Sequence, residues 1–467
     1  MVISPNDFSL WARLTGNKYP STPKERAQKG PEVQNFIQNL GKEGMIGGKE
    51  ADKKEKKKGL PEKLATGALI AGGVAALGAA ARDKRVQDIA QRAAASTRTK
   101  IDDFLVNFAL EHRWGGKQAP TFQVREAYLT WFPSWGEVKL GKQIHAWGVA
   151  DGNNPTDNLN PYDYYYMFFQ GADRKIGSLS AAVITYWENW QLEGVIIPNH
   201  ISNRLPFNEP EFPFQIPIEP DKYEKRDNSF EYGFQLKTIV GETDIGLSYF
   251  DGYDRSFSLL GLGVDTLNII QVSPKFGYRS TSVIGLNIVT FIKDFTIRAE
   301  SAYFNTLNDY KANWYNYLDA KADYLQYVLQ IEYRMESSKS IGVQIIGNNV
   351  FKATGNTVDL STLSMATLTT ENFVPGMGTP FAMISNKSLL IIGSNRFFDD
   401  DLELNFNLLV NLEDTGQLLG LNLEYLLNDN WFIDVSISYF IGNGDPINRF
   451  EQFEDFSNTQ FQLSYSF

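Results

Sequence analysis

Apolar and polar residues alternate strictly along much of this chain, and that period of two constrains the fold more than any other feature. The alternation is clearest in the last segment, where the apolar positions are Phe461, Leu463, Tyr465 and Phe467 and the polar ones are Gln460, Gln462, Ser464 and Ser466. It recurs in residues 325–334, 402–408, 419–425 and 431–439. Repeated segments of about ten residues with this pattern are typical of the strands of a transmembrane β-barrel.

The connections between these segments alternate between short and long. Short ones lie at 133–135, 292–294, 336–338 and 428–430, and long ones at 148–173, 199–228, 251–280, 305–322, 350–385 and 442–456. Outer-membrane barrels have short periplasmic turns and long extracellular loops. If the short connections are periplasmic, the sequence predicts an all-β, antiparallel up-and-down barrel of about 16 strands, in a range of roughly 14 to 18. Both ends of the barrel then fall on the periplasmic side.

The predicted strands follow directly from these connections. They lie near residues 104–114, 122–132, 136–147, 174–187, 190–198, 229–240, 243–251, 281–291, 294–304, 323–334, 339–349, 386–395, 401–411, 417–427, 431–441 and 457–467. The alternative is a large soluble β-propeller or β-solenoid, which would need a recurring motif at a fixed spacing. No such repeat is visible in the sequence, so the barrel is the preferred prediction.

Composition narrows the class of protein further. The mean hydropathy of −0.29 is too polar for a helical membrane protein, but a barrel can be polar overall because only every second strand residue faces lipid. The net charge of −11 argues against nucleic acid as a partner, since phosphate groups repel an acidic surface. The absence of cysteine excludes disulfides and thiolate metal sites.

The first hundred residues differ from the remainder. Residues 1–63 are charged and predicted to be partly helical or disordered, and residues 64–103 combine an Ala/Gly-rich apolar stretch with a polar helix. The basic run before Leu64 and the small residues 79–81 have the form of an export signal, although it lies inside the chain. It is either an internal signal, a membrane-associating or packing helix, or a fused segment. The barrel is predicted to occupy residues 104–467.

A stretch after the third predicted strand resembles a known family. Residues 141–148 have the sequence GKQIHAWG, residues 151–157 have DGNNPTD, and REAYL precedes them at 125–129. These segments resemble an uncharacterised, porin-like family of Gram-negative outer-membrane barrels with the pattern G-[KR]-Q-x-x-x-W-G followed by D-G-x-N-P-x-D. The matching motif residues are Gly141, Gln143, Trp147, Gly148, Asp151, Gly152, Asn154, Pro155 and Asp157. The resemblance covers residues 104–467 and implies a barrel in the bacterial outer membrane.

Aromatic residues gather near the ends of the predicted strands, as in Trp131, Trp187, Tyr303 and Trp431. This placement is typical of the girdles that barrels present to lipid headgroups. The terminal Phe467 resembles the aromatic signal that the outer-membrane insertion machinery recognises. Outer-membrane lipid and that machinery are therefore the expected partners, together with a small solute of unknown identity.

The alternation also predicts which charged residues face the lumen. They are Glu126, Glu137, Lys139, Glu231, Lys237, Asp244, Arg298, Glu300, Glu332, Arg334, Glu403, Glu424 and Asp434, with His145 beside them. Acids exceed bases nine to four in this set, which favours a mild cation preference. Alternatively, the charges pair across neighbouring strands and brace the wall, the preferred interpretation for Arg298, Glu300, Glu332 and Arg334.

The turn-rich loop around Asp151 is predicted to be rigid and to fold over or into the barrel. Calcium binding through Asp151, Asn153 and Asp157 is disfavoured because the spacing does not complete an EF-type loop. Neither a metal nor another cofactor is expected. The chain has three histidines, and no Ser–His–acid set is evident in the sequence, so an enzyme is not expected.

The function that these patterns favour is an outer-membrane channel for small solutes, porin-like in character. A barrel of about 16 strands is wide enough for an aqueous lumen unless loops block it. Two alternatives stay open. One is a non-conducting barrel that serves as an anchor, receptor or assembly factor. The other is a transporter of hydrophobic substrates, which would need an apolar pocket, built for example from the aromatic residues after Asp163.

Overall fold

The computed structural model describes Lys29 and residues 103–111, 121–166, 175–207, 223–224, 229–265, 271–310, 316–336, 339–359, 364–381, 385–398, 401–428, 431–445 and 448–465. The predictions made for residues 1–63 and 64–102, apart from Lys29, lie outside the described residues, and so does the prediction for Phe467.

The described residues form β-strands almost throughout. The strands are β1 (Asp103–Glu111), β2 (Thr121–Trp131), β3 (Gly136–Gln143), β4 (Ser178–Trp187), β5 (Trp190–Ile197), β6 (Glu231–Val240), β7 (Thr243–Tyr253), β8 (Ser258–Asp265), β9 (Gln271–Gly277), β10 (Ser280–Ile292), β11 (Phe295–Leu307), β12 (Asn316–Tyr317), β13 (Ala320–Glu336), β14 (Lys339–Asp359), β15 (Ser364–Thr367), β16 (Lys387–Phe397), β17 (Leu402–Asn411), β18 (Gln417–Leu426), β19 (Trp431–Ile441) and β20 (Asn458–Tyr465). A short helix, α1 (Arg449–Gln452), and two 3-10 turns, Tyr164–Tyr166 and Glu454–Phe456, complete the elements described here.

One large antiparallel sheet of 17 strands contains most of these elements. From β1 to β7 each strand pairs with the next. The order continues through β10, β11, β13, β14 and β16 to β20, and β15 pairs with the far part of β14. Within the described ranges, β1 pairs with β2 and β20 with β19, and no pairing joins β1 to β20. The predicted all-β, antiparallel up-and-down class is confirmed.

Every strand predicted from the alternation is present, but some bounds differ. Strand β3 ends at Gln143 rather than near 147, because the next two backbone N–H groups donate to side chains instead of to a neighbouring strand. Ile144 N donates to Glu126 Oε1, and His145 N donates to Asn160 Oδ1. Strands β13 and β14 run to 17 and 21 residues, since their hairpin continues into what the sequence predicted to be loops.

A second, 3-stranded sheet of β8, β9 and β12 lies within the predicted long connections. Neither this sheet nor helix α1 was predicted from the sequence. Strand β12 has two residues, and the sequence SLLGLGVD of β8 does not alternate regularly between apolar and polar residues, so neither gives a period-two signal. Asn448 caps α1, because its side chain accepts hydrogen bonds from Phe450 N and Glu451 N.

The two faces of the large sheet differ in chemistry. On one face alternate large apolar side chains are exposed, as Ile284 and Leu286 show in β10 and Ile341, Val343 and Ile345 show in β14. The opposite face, which we call the polar face, carries most of the polar and charged strand residues. Towards the long connections it also carries buried apolar side chains, such as Val283, Phe304, Leu409 and Phe440. This separation follows from the strand geometry, in which successive side chains point to opposite sides.

The polar face is concave. Side chains from β6, β10, β11, β13 and β14 all form hydrogen bonds with the single loop that joins β3 to β4. These side chains are Gln235, Asn287, Glu300, Gln330 and Gln344. The loop begins at β3, and β14 lies eight strands from β3 in sheet order, so one loop can reach all five strands only if the sheet curves around it. We therefore call the polar face the inner face and the apolar face the outer face.

No helix in the described part of the chain has the length and apolar content that crossing a membrane requires.

The register between β14 and β16 can be tested with engineered cysteines, because the natural chain has none. Ser340 and Ser394 are paired residues whose hydroxyl oxygens lie 2.8 Å apart. The double variant Ser340→Cys with Ser394→Cys should form a disulfide readily upon oxidation, since paired Cβ atoms lie within bonding reach. The measurement is the change in gel mobility on reduction.

The matched control for this pair is Ser340→Cys with Asn395→Cys, which shifts one partner to the outer face. A shift of one residue reverses the side on which a strand side chain points. The control should cross-link poorly. Equal cross-linking in both double variants would contradict the register.

Candidate functional site

The loop of residues 144–163, which we call the inner loop, leaves the end of β3 and lies against the inner face. Asn160 fixes both ends of its base. Its Nδ2 donates to Gln143 O at 3.1 Å and to Ile176 O at 2.9 Å, while its Oδ1 accepts from His145 N at 2.7 Å. The side chain of one asparagine thus replaces the strand pairing that ends at Gln143. The predicted folding of this loop into the barrel agrees with its position.

Glu300 of β11 is the main contact of the inner loop with the opposite wall. Its Oε1 accepts hydrogen bonds from Val149 N at 2.5 Å and Ala150 N at 2.7 Å. Its Oε2 accepts from Thr156 Oγ1 at 2.7 Å and Thr156 N at 3.3 Å. The side chain is almost fully buried, and these donors replace the water that a carboxylate otherwise requires. Glu300 therefore binds the loop rather than pairing with a neighbouring strand, which corrects the sequence prediction.

Neutral amides hold the remainder of the loop. Gln235 Nε2 and Asn287 Nδ2 both donate to Trp147 O, at 3.1 and 3.2 Å. Gln330 Oε1 accepts from Asp151 N at 3.0 Å. In a separate pair of contacts, Gln344 Nε2 donates to Asp151 O and Gln344 Oε1 accepts from Asn153 Nδ2. Amides carry both a donor and an acceptor, so they suit a backbone that presents both.

Trp147 shows how closely the loop and wall fit. The side chain is buried at 1% exposure and lies against Gly233 of β6. A Cβ atom at Gly233 would be 2.6 Å from Trp147 Cη2. Within the motif, Gly141 has a φ of +138°, where its Cβ would lie 2.3 Å from Ala127 O. Glycine is therefore required at both positions, at Gly233 for packing and at Gly141 for the backbone conformation.

The three residues considered for calcium have different partners. Asp157 Oδ2 binds Lys175 Nζ at 2.7 Å, Asp151 Oδ2 accepts from Gln330 Nε2, and Asn153 donates to Gln344. Burial lowers the pKa of Lys175, although Asp157 acts in the opposite direction. The ion pair joins the inner loop to the segment that leads into β4, and thus closes the loop on itself.

A buried ion-pair cluster lies at the long-connection end of the sheet. Arg255 Nη1 donates to Glu231 Oε2 at 2.8 Å, and its Nη2 donates to Asn158 O at 3.1 Å and Leu159 O at 3.0 Å. His200 Nδ1 lies 2.8 Å from Glu231 Oε1. Burial lowers the pKa of His200, and Arg255 acts in the same direction. Arg255 therefore links the wall, the inner loop and the connection after β5.

A second stretch of chain, residues 368–381, also lies on the inner face and is called the second inner segment. Gln326 of β13 donates to Met377 O at 3.3 Å and accepts from Thr379 N at 2.8 Å. Arg279 donates to Val374 O and forms an ion pair with Asp254, both at 2.8 Å. The two inner stretches together cover much of the inner face towards the long connections.

A Ser–His–acid set does occur, contrary to the sequence interpretation. His145 Nε2 lies 3.0 Å from Ser180 Oγ, and His145 Nδ1 lies 3.5 Å from Glu193 Oε1. The three residues come from the loop base, β4 and β5, and only the strand pairing brings them together. A nucleophile needs access to substrate, but Ser180 is 2% exposed. The arrangement therefore serves to fasten the loop base to the wall.

All charged residues predicted for the lumen share the inner face, as the strand pairing with Glu300 establishes. They fall into three groups. His145, Glu231 and Glu300 are buried under loops. Arg298 and Glu332 form a cross-strand ion pair at 2.8 Å, as predicted. The remaining group is partly buried or exposed: Glu126, Glu137, Lys139, Lys237, Asp244, Arg334, Glu403, Glu424 and Asp434.

Three acids of that last group stand in one row. Glu403 pairs with Glu424 across β17 and β18, and Glu424 pairs with Asp434 across β18 and β19. Like charges at directly opposite positions destabilise a sheet unless water or a cation screens them. Arg396 binds Glu403 at 3.0 Å at one end of the row. We call Glu403, Glu424 and Asp434 the acidic row.

Sequence reasoning missed the neutral residues that hold the inner loop together with Glu300. It named charged positions, whereas Gln235, Asn287, Gln330 and Gln344 are neutral and resemble ordinary wall residues. Arg255 lies in a predicted loop. One signal was available for the glutamines. Each lies at a strand position whose side chain points to the inner face, and each side chain is long and polar enough to bond to a loop.

Comparisons with known proteins identify no family. No protein-family model matches the chain, and no curated protein matches it. Similar solved structures include OmpT, an outer membrane protein of Vibrio cholerae, with 9% identity, a TM-score of 0.34 and coverage of 79% of this chain and 100% of that one. OccAB3 of Acinetobacter baumannii has 10% identity, a TM-score of 0.41 and coverage of 75% and 78%. These scores are low, so the fold rests on the strand pairing of this chain.

Replacing Glu300 should release the inner loop. Glu300→Ala leaves the N–H groups of Val149, Ala150 and Thr156 buried without their acceptor, at a cost of roughly 3 kcal/mol in the free energy of unfolding. Glu300→Gln keeps one acceptor oxygen and should lose less. Limited proteolysis within residues 144–163 reports the release, and urea unfolding in detergent reports the stability.

Glu403→Ala serves as the matched control for Glu300→Ala. It removes an inner-face carboxylate that bonds to Arg396 and Asn405 rather than to the loop. It should leave proteolysis of the loop unchanged. If Glu300→Ala proved as resistant as the wild type, Glu300 would not be the main attachment.

His200 should make stability depend on pH. Because its pKa is lowered from 6.5 in the folded protein, the unfolded chain binds the proton first as pH falls below about 6.5. His200 therefore lowers the free energy of unfolding as pH falls from there towards its folded pKa, with Glu231, Arg255 and Asp254 as its charged neighbours. The His200→Gln variant should show a shallower loss between about pH 7 and pH 5. Identical pH profiles for the two proteins would exclude this role.

Proposed function

We propose that this chain spans the outer membrane of a Gram-negative bacterium and forms a channel for small solutes. The observation that carries the proposal is the chemistry of the outer face. Large apolar side chains are exposed there on strand after strand, from Phe104 and Val106 in β1 to Phe461 and Leu463 in β20. An apolar surface of this extent is not stable in water, whereas lipid stabilises it.

Aromatic residues support a membrane position for the sheet. Exposed rings gather at the short-turn end of several strands, where Trp131, Trp187, Trp190, Phe295 and Trp431 lie. Amphipathic rings favour the headgroup level of a bilayer. In β19 the exposed rings of Trp431 and Tyr439 are separated by roughly 27 Å at about 3.4 Å per residue. A strand tilt of about 40° would reduce this to about 21 Å of membrane thickness, close to the usual apolar band.

The inner face supports a preference for cations. Towards the long connections, the inner loop binds Glu300 directly, and Arg255, which donates to the inner loop, binds Glu231. Towards the short turns, the partly accessible charges include the acidic row. There, the bases Lys139 and Arg396 already bind Glu137 and Glu403. A solute passing this region would meet excess negative charge, which favours cations.

The packing of the inner loop favours a second candidate, a barrel that does not conduct in its resting state. Trp147, Leu159 and Thr156 are almost fully buried between the loop and the wall, which leaves little space beside them. Such a barrel would act as an anchor, receptor or assembly factor. Conductance separates the two candidates, and release of the loop by Glu300→Ala should raise conductance if the loop blocks the passage.

The remaining details of the proposal follow the sequence pattern. The short turns would face the periplasm together with both barrel ends, and the insertion machinery would recognise the last strand through Phe467. Labelling of engineered cysteines in the short and long connections of intact cells would test the orientation.

The channel proposal is tested in a planar lipid bilayer under a salt gradient. The purified protein should conduct with cation preference. The triple variant Glu403→Gln, Glu424→Gln and Asp434→Asn should reduce the cation-to-anion permeability ratio by at least about twofold, because it removes the acidic row. The control triple variant neutralises Glu188, Glu242 and Asp294, which lie outside the row in short turns and are exposed, and should change the ratio less. Absence of conductance would favour the non-conducting barrel, and anion preference would contradict the role of the acids.

A further inference from the structure

A cavity of about 360 Å³ lies where several connections meet at the long-connection end of the sheet. Its walls come from separate parts of the chain: Tyr164 after the inner loop, Leu205 after β5, Phe257 and Leu259 at the start of the small sheet, and Phe373 in the second inner segment. Leu318 and Leu368 add further apolar surface. The cavity is therefore enclosed mainly by apolar side chains that no single segment could provide.

Three polar side chains of this wall, those of Asn356, Asn372 and Arg279, have hydrogen-bond partners within the protein. Asn356 Oδ1 accepts from Asp319 N at 2.7 Å, and Asn372 bonds to Thr367 O and Thr369 N. Arg279 is bound to Asp254 and Val374 O, and its guanidinium lies 4.6 Å from the centre of the Phe373 ring. Because these groups already have partners, a ligand gains little by presenting many polar atoms of its own.

Stacked aromatic rings support one side of the cavity, and its rim is exposed to solvent. Phe373 packs on Tyr324, whose ring stacks on Phe304 at 4.5 Å with an interplanar angle of 2°. Burial raises the pKa of Tyr164 in the wall, so this phenol is neutral at ordinary pH. At the rim, Val374 is 64% exposed, and its neighbour Asn372 is also exposed. A ligand could thus enter past Val374 without disturbing the aromatic stack beneath.

We propose that this cavity binds a small, neutral, mainly apolar molecule with one or two aromatic rings. The size argues for this class, since a dry apolar cavity of about 150 Å³ holds one benzene ring, and ligand pockets begin at about 300 Å³. The wall is aromatic and aliphatic apart from the bonded amides and guanidinium and a few hydroxyl groups, such as those of Ser258 and Thr357. Such a wall favours a flat apolar ligand over a sugar or an ion. The site goes beyond the proposed channel function, because it does not require an open passage.

The test uses 2-naphthol as the probe and isothermal titration calorimetry of the purified protein in detergent. The heat of titration into micelles alone is subtracted. The wild type should show saturable binding at one site. Ala320→Leu adds three carbon atoms at a residue of the cavity wall and should weaken binding about tenfold. Phenol, which is smaller, should lose less affinity than 2-naphthol in the same variant.

Ala181→Leu is the matched control, because it makes the same change on the outer face of β4. It should bind 2-naphthol like the wild type. If Ala320→Leu fails to fold, as judged by heat-dependent gel mobility, Ser258→Leu fills the cavity from the small sheet instead. Lack of saturable binding by the wild type, or equal binding by a folded cavity-filling variant, would overturn the proposal. Either result would leave the bilayer test of the channel unaffected.

Discussion

The contact between the Glu300 carboxylate and the inner loop is the interaction on which the interior of this protein depends. A curved sheet of this width has a polar concave face that must be either hydrated or covered by chain. Glu300 accepts hydrogen bonds from Val149, Ala150 and Thr156, and these fix the loop across the interior. With the loop in place, Gln330 and Gln344 find backbone partners, Trp147 packs against Gly233, and Arg255 can bind Asn158 and Leu159.

The sheet itself could be predicted from the sequence because its main determinant is local. Each strand carries its own alternation, and the outer face requires only that side chains be apolar. The alternation around Leu402, Trp431 and Phe461 therefore located β17, β19 and β20 closely. It failed where other forces dominate. Strand β3 ends early because the side chains of Asn160 and Glu126 accept hydrogen bonds from the next backbone N–H groups. Strand β14 is longer because its hairpin with β13 continues beyond the predicted strand.

The candidate site was harder to predict, since its contacts join residues that are distant in sequence. The alternation of side chains along the strands correctly placed Glu300 and Glu332 on the inner face, but it could not distinguish their roles. Arg298 and Glu332 pair between adjacent strands, whereas Glu300 binds the loop. The set of Ser180, His145 and Glu193 joins β4 and β5 to the loop base and could not be seen in the sequence. Neutral glutamines such as Gln235 carry no charge pattern, so nothing marked them as attachment points.

The sequence distances of the loop contacts have a consequence for how the chain assembles. Glu300 lies 151 residues from Val149, and Gln344 lies 191 residues from Asn153. Closing such long intervals is entropically costly until the intervening strands have formed their hairpins. Docking of the inner loop is therefore a late event on the folding pathway, following the growth of the sheet from β4 to β14. The inner loop would thus cover the inner face last and would make an already formed sheet more rigid.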